Sequence, residues 1–259
     1  MRCLLTTLLL IAFSPDPSTP SGDVSTFLQR WTAANRADFE AASAYDYSER
    51  DRDDDGTRTY DVSMLFGTPY KRLVLADDRP LSDSDRRKQD EQFQRARAER
   101  AAESPEDRAR RIAEYQKSRA RARRILEELP KAFDFRLSGR RTVGARSVYV
   151  LRAAPRNGYQ PPDTATEVLT GMRGEFWIDT ASGQLVRAVA RVIHPVSIEG
   201  FLATVQPGTE FELEQIPVEA AVWLPSRLEI RSRSSIVFLF HHHTNEERRY
   251  FNYRKSADS

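Results

Sequence analysis

Three consecutive histidines, His241 to His243, are the most conspicuous residues with a capacity for chemistry in this 259-residue chain. In an extended strand alternate side chains share a face, so His241 and His243 have a spacing that suits zinc. A third ligand would have to come from His194 or from a nearby carboxylate. We favour a polar strand end entering a turn at Thr244, because paired histidines are common by chance. The sequence therefore predicts no metal and no cofactor, and keeps His241 and His243 as weaker metal candidates.

The acidic run from Asp51 to Gly56 is a second candidate, since it has acids at alternate positions and a glycine at the sixth, as a calcium loop does. The twelfth position, which needs a bidentate glutamate, is Val62. The flanking segments alternate like strands rather than helices. The run predicts a β-hairpin turn at Asp55-Gly56, with weak calcium binding by that turn as the alternative.

No catalytic motif accompanies these residues. The sequence lacks a Gly-x-Ser-x-Gly elbow, a glycine-rich phosphate loop and a His-Glu-x-x-His pair. The 40 Lys and Arg nearly balance the 38 Asp and Glu, for a net charge of +2. Because there is no overall basic surface, nucleic acid is not expected as a partner. The sequence predicts a protein that is not an enzyme.

The N-terminus has the pattern of a signal peptide. Met1-Arg2 is followed by an apolar run from Cys3 to Phe13, which is too short for a permanent membrane span. Cys3 is the only cysteine and lies at the start of the apolar run rather than after it, so lipid attachment there is not expected. We expect residues 1–22 to be a signal peptide and linker, and residues 23–259 to form one domain that is exported, most simply to the periplasm.

The pattern of apolar residues predicts an α+β protein. An amphipathic helix is expected over 23–39, and a pair of helices over 82–130, divided by a cap at Ser104-Pro105 and ended by Pro130. The predicted strands are 44–50, 57–66, 70–76, 133–137, 147–153, 175–180, 185–193, 201–205, 209–216, 223–232, 236–243 and 248–254.

The strand patterns predict a sheet with one polar and one apolar face. Glu210, Glu212 and Glu214 alternate with Phe211 and Leu213. The segment 236–240 is apolar on both faces, which predicts a central strand or one that lines a covered groove. The helix pair is rich in arginine, but interleaved acids can pair with it along the helices. This favours a solvated helical hairpin, with docking to a membrane surface or an envelope protein as the alternative.

Three stretches, 61–82, 174–197 and 200–255, resemble a known family. They contain Gly67-Thr68-Pro69, Phe176-Trp177-Ile178-Asp179 and Trp223-Leu224-Pro225. In the order of these motifs the chain resembles the bacterial outer-membrane lipoprotein-sorting-like proteins, which are related to the periplasmic lipoprotein carriers LolA and LolB. The resemblance implies a strongly curved antiparallel half-barrel whose concave apolar side is covered by helices and holds the acyl chains of a lipoprotein. It carries no catalytic residues.

These observations together predict a periplasmic carrier or sensor that binds an acylated lipoprotein or lipid in an apolar groove. A protein-docking or regulatory module that uses the 82–130 helices is the alternative, and a metal-dependent activity at His241 and His243 is a weaker one. The predicted groove residues are Leu65, Val74, Phe176, Ile178, Val186, Phe211, Leu213, Leu228, Ile230, Phe238 and Phe240.

Overall fold

A computed structural model describes residues 21–198, 203–219, 221–237 and 242–257. Residues 1–20 of the expected signal peptide and linker lie outside these ranges. The helices are α1 (Ser21–Ala41), α2 (Asp83–Ala101) and α3 (Pro105–Ala132). The strands are β1 (Tyr45–Asp53), β2 (Gly56–Leu65), β3 (Thr68–Ala76), β4 (Arg79–Pro80), β5 (Phe133–Val143), β6 (Arg146–Pro155), β7 (Met172–Asp179), β8 (Leu185–Val192), β9 (Val196–Ile198), β10 (Ala203–Val205), β11 (Glu210–Pro217), β12 (Trp223–Val237) and β13 (His242–Lys255).

Eleven of these strands form one open, curved antiparallel sheet in the order β4-β3-β2-β1-β13-β12-β11-β8-β7-β6-β5, and β9 pairs with β10 separately. The predicted class, an α+β fold with helices on one face of a curved antiparallel sheet, is confirmed. The two edge strands, β4 and β5, are joined by the segment that carries α2 and α3. The helix pair therefore connects opposite edges of the sheet.

Local sequence signals form the turns and caps as predicted. Asp53 pairs with Gly56 at the β1–β2 hairpin, and the Asp55 amide donates to Asp53 Oδ1 at 2.9 Å. Gly56 has a φ of +132°, which only glycine adopts readily. At the start of α3, Ser104 Oγ accepts from the Asp107 amide at 3.1 Å.

The predicted strand over 236–243 is wrong. β12 extends to Val237 and β13 begins at His242, so that Ile236 pairs with His243 across a hairpin. Residues 238–241, with Phe238, Phe240 and His241, lie outside the described residues. Apolar character on both faces suggested one central strand, but this pattern also fits two strand ends that meet at a turn.

The prediction that Pro130 ends the second helix of the pair is also wrong. α3 continues to Ala132, and the Phe133 amide donates to Leu129 O at its C-terminus. The φ of proline is compatible with a helix, but Pro130 has no N–H to donate to Leu126 O, and the helix ends two residues later.

The two faces of the sheet differ in what covers them. The helix-covered face packs against α1 and the C-terminal part of α3, and contains the main apolar cluster, in which Leu151 and Ile178 are fully buried. The opposite, open face contains a smaller cluster of Val148, Val186 and Trp223. Its remaining side chains are mainly paired charges.

Candidate functional site

The candidate site is the apolar part of the helix-covered face beneath α1. Val24, Leu28 and Trp31 recur at helical spacing, so α1 presents one apolar stripe to the sheet. Trp31 is 2% exposed, and its ring centroid lies 5.2 Å from that of Phe176 and 6.2 Å from that of Phe135. The indole of α1 therefore fills the space in which a ligand of this face would lie.

Six of the predicted groove residues form one apolar row across neighbouring strands. Phe176 and Ile178 are buried beneath α1, and half-buried Phe211 and Leu213 pack against the same cluster. In the β11–β12 register Phe211 pairs with Ile230 and Leu213 with Leu228. The row is Phe176, Ile178, Phe211, Leu213, Leu228 and Ile230.

Three of the remaining predicted residues lie elsewhere, and Phe238 and Phe240 are outside the described residues. Val186 is in the open-face cluster, because a register shift between β7 and β8 places Leu185, and not Val186, opposite Ile178. Buried Leu65 and half-buried Val74 belong to β2 and β3, which β1, β13 and β12 separate from β11. The structure thus brings six of the eleven together, and their role in binding stays a prediction.

The apolar row ends in a charged row that the sequence did not predict. On the same face Ile230 pairs with Glu246 and Leu228 with Arg248, and Arg248 pairs with Asp51 of β1. The sequence shows that Tyr47, Glu49 and Asp51 alternate and so share one face of β1. Only the pairing of β1 with the C-terminal β13 places these residues beside the apolar row.

The charged row is half-buried and only partly satisfied. Glu49 is 2% exposed and accepts a hydrogen bond from Lys71 Nζ. Asp51 Oδ1 lies 3.9 Å from Arg248 Nε, too far for a hydrogen bond. Burial, and then the neighbouring Glu49, raises the pKa of Asp51 to about 6. This end of the face is suited to a polar group, and the Phe176 end to an apolar one.

Polar groups under α1 weaken its attachment to the sheet. Asp38, 3% exposed, accepts from the Trp223 amide at 2.9 Å through Oδ1. Burial raises the pKa of Asp38 to about 6, in opposition to that hydrogen bond. Asp38 Oδ2, Asn35 Nδ2 and Trp31 Nε1 are buried without a hydrogen-bond partner among the described residues. Each such group costs about 1–3 kcal/mol, which is regained if α1 separates and water reaches it.

Apart from the buried hydrogen bond between Asp38 and the Trp223 amide, the polar contacts around α1 are peripheral. Arg30 Nη2 donates to Ala181 O at 3.2 Å, and Arg123 pairs with Glu40 at 3.4 Å on the surface. The Arg119 guanidinium of α3 lies 4.5 Å from the Phe39 ring centroid. Exposed ion pairs contribute at most about 1 kcal/mol each. α1 is therefore held chiefly by Trp31 and its apolar neighbours.

The histidine candidates form no site in the part of the chain that the structure describes. His241 is outside it, and the backbone of His243 pairs with that of Ile236. His194 lies exposed in the loop after β8. Within the described ranges no three His, Cys, Asp or Glu residues are grouped as metal ligands.

Comparison with known proteins gives matches to solved structures only. No protein-family profile and no curated protein matches the sequence. Similar structures include an outer membrane lipoprotein-sorting protein domain from Vibrio parahaemolyticus, with 10% identity and a TM-score of 0.29 over 50% of this chain and 44% of that chain. A LolA superfamily protein from Nitrosomonas europaea has 10% identity and a TM-score of 0.35 over 91% and 94% of the two chains.

The MucA/MucB complex of Pseudomonas aeruginosa contributes a third match, with 12% identity and a TM-score of 0.27 over 91% of this chain and 99% of that chain. The matches thus include the lipoprotein-sorting and LolA families that the sequence resembles. Across the described ranges, no helix combines the length and apolar character that a bilayer span requires.

Proposed function

We propose that this protein is a non-catalytic carrier or sensor of the bacterial cell envelope that binds one acylated ligand, a lipoprotein or a lipid, between its sheet and α1. The observation that carries the proposal is the position of Trp31. One side chain of a weakly attached helix occupies the centre of a continuous apolar face. An acyl chain can replace that side chain without any covalent step.

The free energy lost when Trp31 leaves the sheet is similar to the free energy gained when an acyl chain takes its place. Removing a buried tryptophan from a core costs about 3–5 kcal/mol. A buried methylene contributes about 0.8 kcal/mol, so roughly five methylenes offset the loss of Trp31. The chains of common lipids are longer than that. Exposure of the unpaired polar atoms of α1 to water further favours the open state.

The charged row supports an amphiphilic ligand with a defined orientation. The acyl chain would lie along the Phe176 to Ile230 row, and its polar end would contact Glu49, Asp51, Lys71 and Arg248. Both signs of charge are present there, so the polar group can be zwitterionic or a peptide. The apolar row and the charged row on one face of the sheet would thus fix the orientation of an amphiphilic ligand.

A chain-length series tests this proposal. We expect the affinity for saturated fatty acids to rise about fourfold with each added methylene until the row is filled. Phe211→Ser should weaken palmitate binding at least tenfold. Val189→Ser is the matched control, because Val189 lies on the neighbouring strand and on the opposite face. Equal effects of the two substitutions, or no dependence on chain length, would contradict the proposal.

A second candidate function is docking of an envelope protein by the helix pair. α2 has no buried residue, yet it is fixed to β3: Arg100 donates to the carbonyls of Leu65 and Thr68, and Phe93 lies 5.6 Å from Tyr70. A helix that is both exposed and fixed is a rigid surface. The double substitution Arg86→Glu and Arg87→Glu should then abolish binding of a partner without altering palmitate binding.

A further inference from the structure

The open face contains a cavity of about 720 Å³ at the point where the sheet divides. β11 continues beside β12 as far as Pro217, whereas its register with β8 ends at the pair Glu214 and Arg187. The β5–β6 hairpin and the divided strands line the gap. Sites for small molecules have volumes of about 300–1,000 Å³. The cavity is therefore large enough for one, and it lies across the sheet from the acyl site.

The lining combines an apolar floor with cations. Trp177, Trp223 and Val186 lie in the floor, and Ile216 is 40% exposed among the lining residues. The Arg187 guanidinium lies 4.1 Å from the Trp177 ring centroid. Such a surface favours a ligand with an apolar or aromatic body and negative charge.

One of the arginines around the cavity has no carboxylate partner. Four arginines line it, and three of them are paired with carboxylates. Arg141 forms no ion pair with any residue in the described ranges, and its Nη1 donates to Arg140 O at 3.2 Å. Glu214, a lining acid, lies 3.7 Å from Arg227, which also pairs with Glu212, Glu229 and Glu247. The three lining pairs are Arg146 with Asp179 at 3.6 Å, Arg152 with Glu175 at 3.0 Å, and Arg187 with Glu212 at 2.8 Å.

Polar atoms of the lining side chains also lack partners. Trp177 Nε1, Arg187 Nε and Gln215 Oε1 are buried and form no hydrogen bond with described residues. Buried polar atoms are nearly always hydrogen-bonded, so three in one lining require a reason. Two of them are donors. Unpaired donors beside the cavity favour a ligand that brings acceptor oxygens.

We propose that this cavity binds a small monocarboxylate with an aromatic or aliphatic body. Its body would lie on Trp177 and Trp223, and its single negative charge would be balanced by Arg141. The site is separate from the one that binds the acyl chain, and does not depend on it.

The test compares two probes that differ only in charge, 4-(1-pyrenyl)butanoate and 4-(1-pyrenyl)butan-1-ol, by titration of the full chain. Arg141→Gln should weaken binding of the carboxylate about tenfold, as expected for loss of one charge-assisted contact, and leave the alcohol unchanged. Arg140→Gln is the matched control. Arg140 is adjacent in sequence, but it stacks on Tyr149 on the helix-covered face, 4.8 Å from the ring centroid.

A second variant tests the same cavity if Arg141 contributes little to carboxylate affinity. Ile216→Glu adds a negative charge to the exposed part of the lining and should also weaken the carboxylate selectively. The proposal is overturned if the alcohol binds wild type as tightly as the carboxylate does. It is equally overturned if Arg141→Gln and Arg140→Gln have the same effect, or if neither Arg141→Gln nor Ile216→Glu changes carboxylate affinity.

Discussion

The helix-covered and open faces of one sheet are stabilised in different ways. Beneath α1, fully buried Ile178 and Leu151 belong to one apolar cluster with Trp31, and the covering helix has unpaired polar atoms. On the open face, Glu247, 5% exposed, accepts from Arg227 at 2.9 Å and Arg249 at 3.0 Å, and needs no cover.

This difference assigns ligand binding to the helix-covered face and stability without a cover to the open face. Paired charges satisfy one another and leave the open face stable in water. An apolar face cannot be left in water, so it needs either α1 or a ligand. The face that depends on a removable cover is the one on which we place the acyl ligand. Substitutions on the two faces should therefore differ in size and in kind.

The largest expected effect is that of Trp31→Ala. Loss of this side chain should lower the free energy of unfolding by about 4 kcal/mol, measured by urea denaturation, and at the same time strengthen palmitate binding, because the space is vacated. Val148→Ala on the open face, outside the cavity lining, is the control, with a smaller loss of stability and unchanged palmitate affinity. A Trp31→Ala protein that folds but binds palmitate more weakly would contradict the assignment.

Ile178→Ala and Val186→Ala compare neighbouring strands on the two faces. Ile178 is fully buried beneath α1, so its truncation should cost about 3 kcal/mol. Val186 is 9% exposed and loses two methyl groups, about 1.6 kcal/mol. Denaturant midpoints at constant m-value measure both. If Val186→Ala lowers the free energy of unfolding as much as Ile178→Ala does, the two faces are packed equally well and the contrast between them is wrong.

The pH dependence of α1 docking should follow Asp38. Its pKa is raised from 3.8 to about 6 in the folded protein, so the folded state holds the proton more tightly than the unfolded state does. Its contribution is full below about pH 4 and is lost as the pH rises through about 6, by at most about 3 kcal/mol. Asp51 changes in the same direction.

The matching variant is Asp38→Asn, which keeps the acceptor for the Trp223 amide. The difference in unfolding free energy between wild type and Asp38→Asn should grow in favour of the variant between about pH 4 and pH 7. A constant difference across that window would mean that Asp38 titrates normally in the fold.

The smallest effects belong to the ion pairs of the open face. Burial alone would raise the pKa of Glu247, but hydrogen bonds from Arg227 and Arg249 hold it below its usual range. Glu247→Gln should cost about 1–2 kcal/mol at neutral pH, less in high salt. Exposed Arg86, 2.8 Å from Asp83, provides the control, since Arg86→Gln should cost under about 0.5 kcal/mol. Equal costs would show that burial of Glu247 is unimportant.

The fold class could be predicted from the sequence because its signals are local. Alternation placed most strands to within a few residues, Ser104 marked the start of α3, and Asp55-Gly56 marked a hairpin. The prediction of one strand over 236–243 was wrong because a continuous apolar run does not indicate where a chain reverses.

The composition of the site could be predicted only in part. Phe211 and Leu213 were expected on the apolar face, since they alternate with Glu210, Glu212 and Glu214. Val186 was misplaced because a one-residue register shift moves a side chain to the other face. The charged row of Glu49, Asp51 and Arg248 depends on pairing between strands almost 200 residues apart, which no local pattern contains.

A disulfide between α1 and the β7–β8 turn tests most directly whether α1 must leave the sheet to admit the ligand. A Cβ built on Gly183 would lie 3.4 Å from Arg30 Cβ, close to the roughly 3.8 Å typical of disulfides. Arg30→Cys with Gly183→Cys, in a Cys3→Ser background, can be compared with itself in oxidised and reduced form, so any strain at Gly183 is common to both. We predict that the oxidised protein binds a palmitoylated peptide at least tenfold more weakly than the reduced protein. Equal affinity in the two forms would contradict the account.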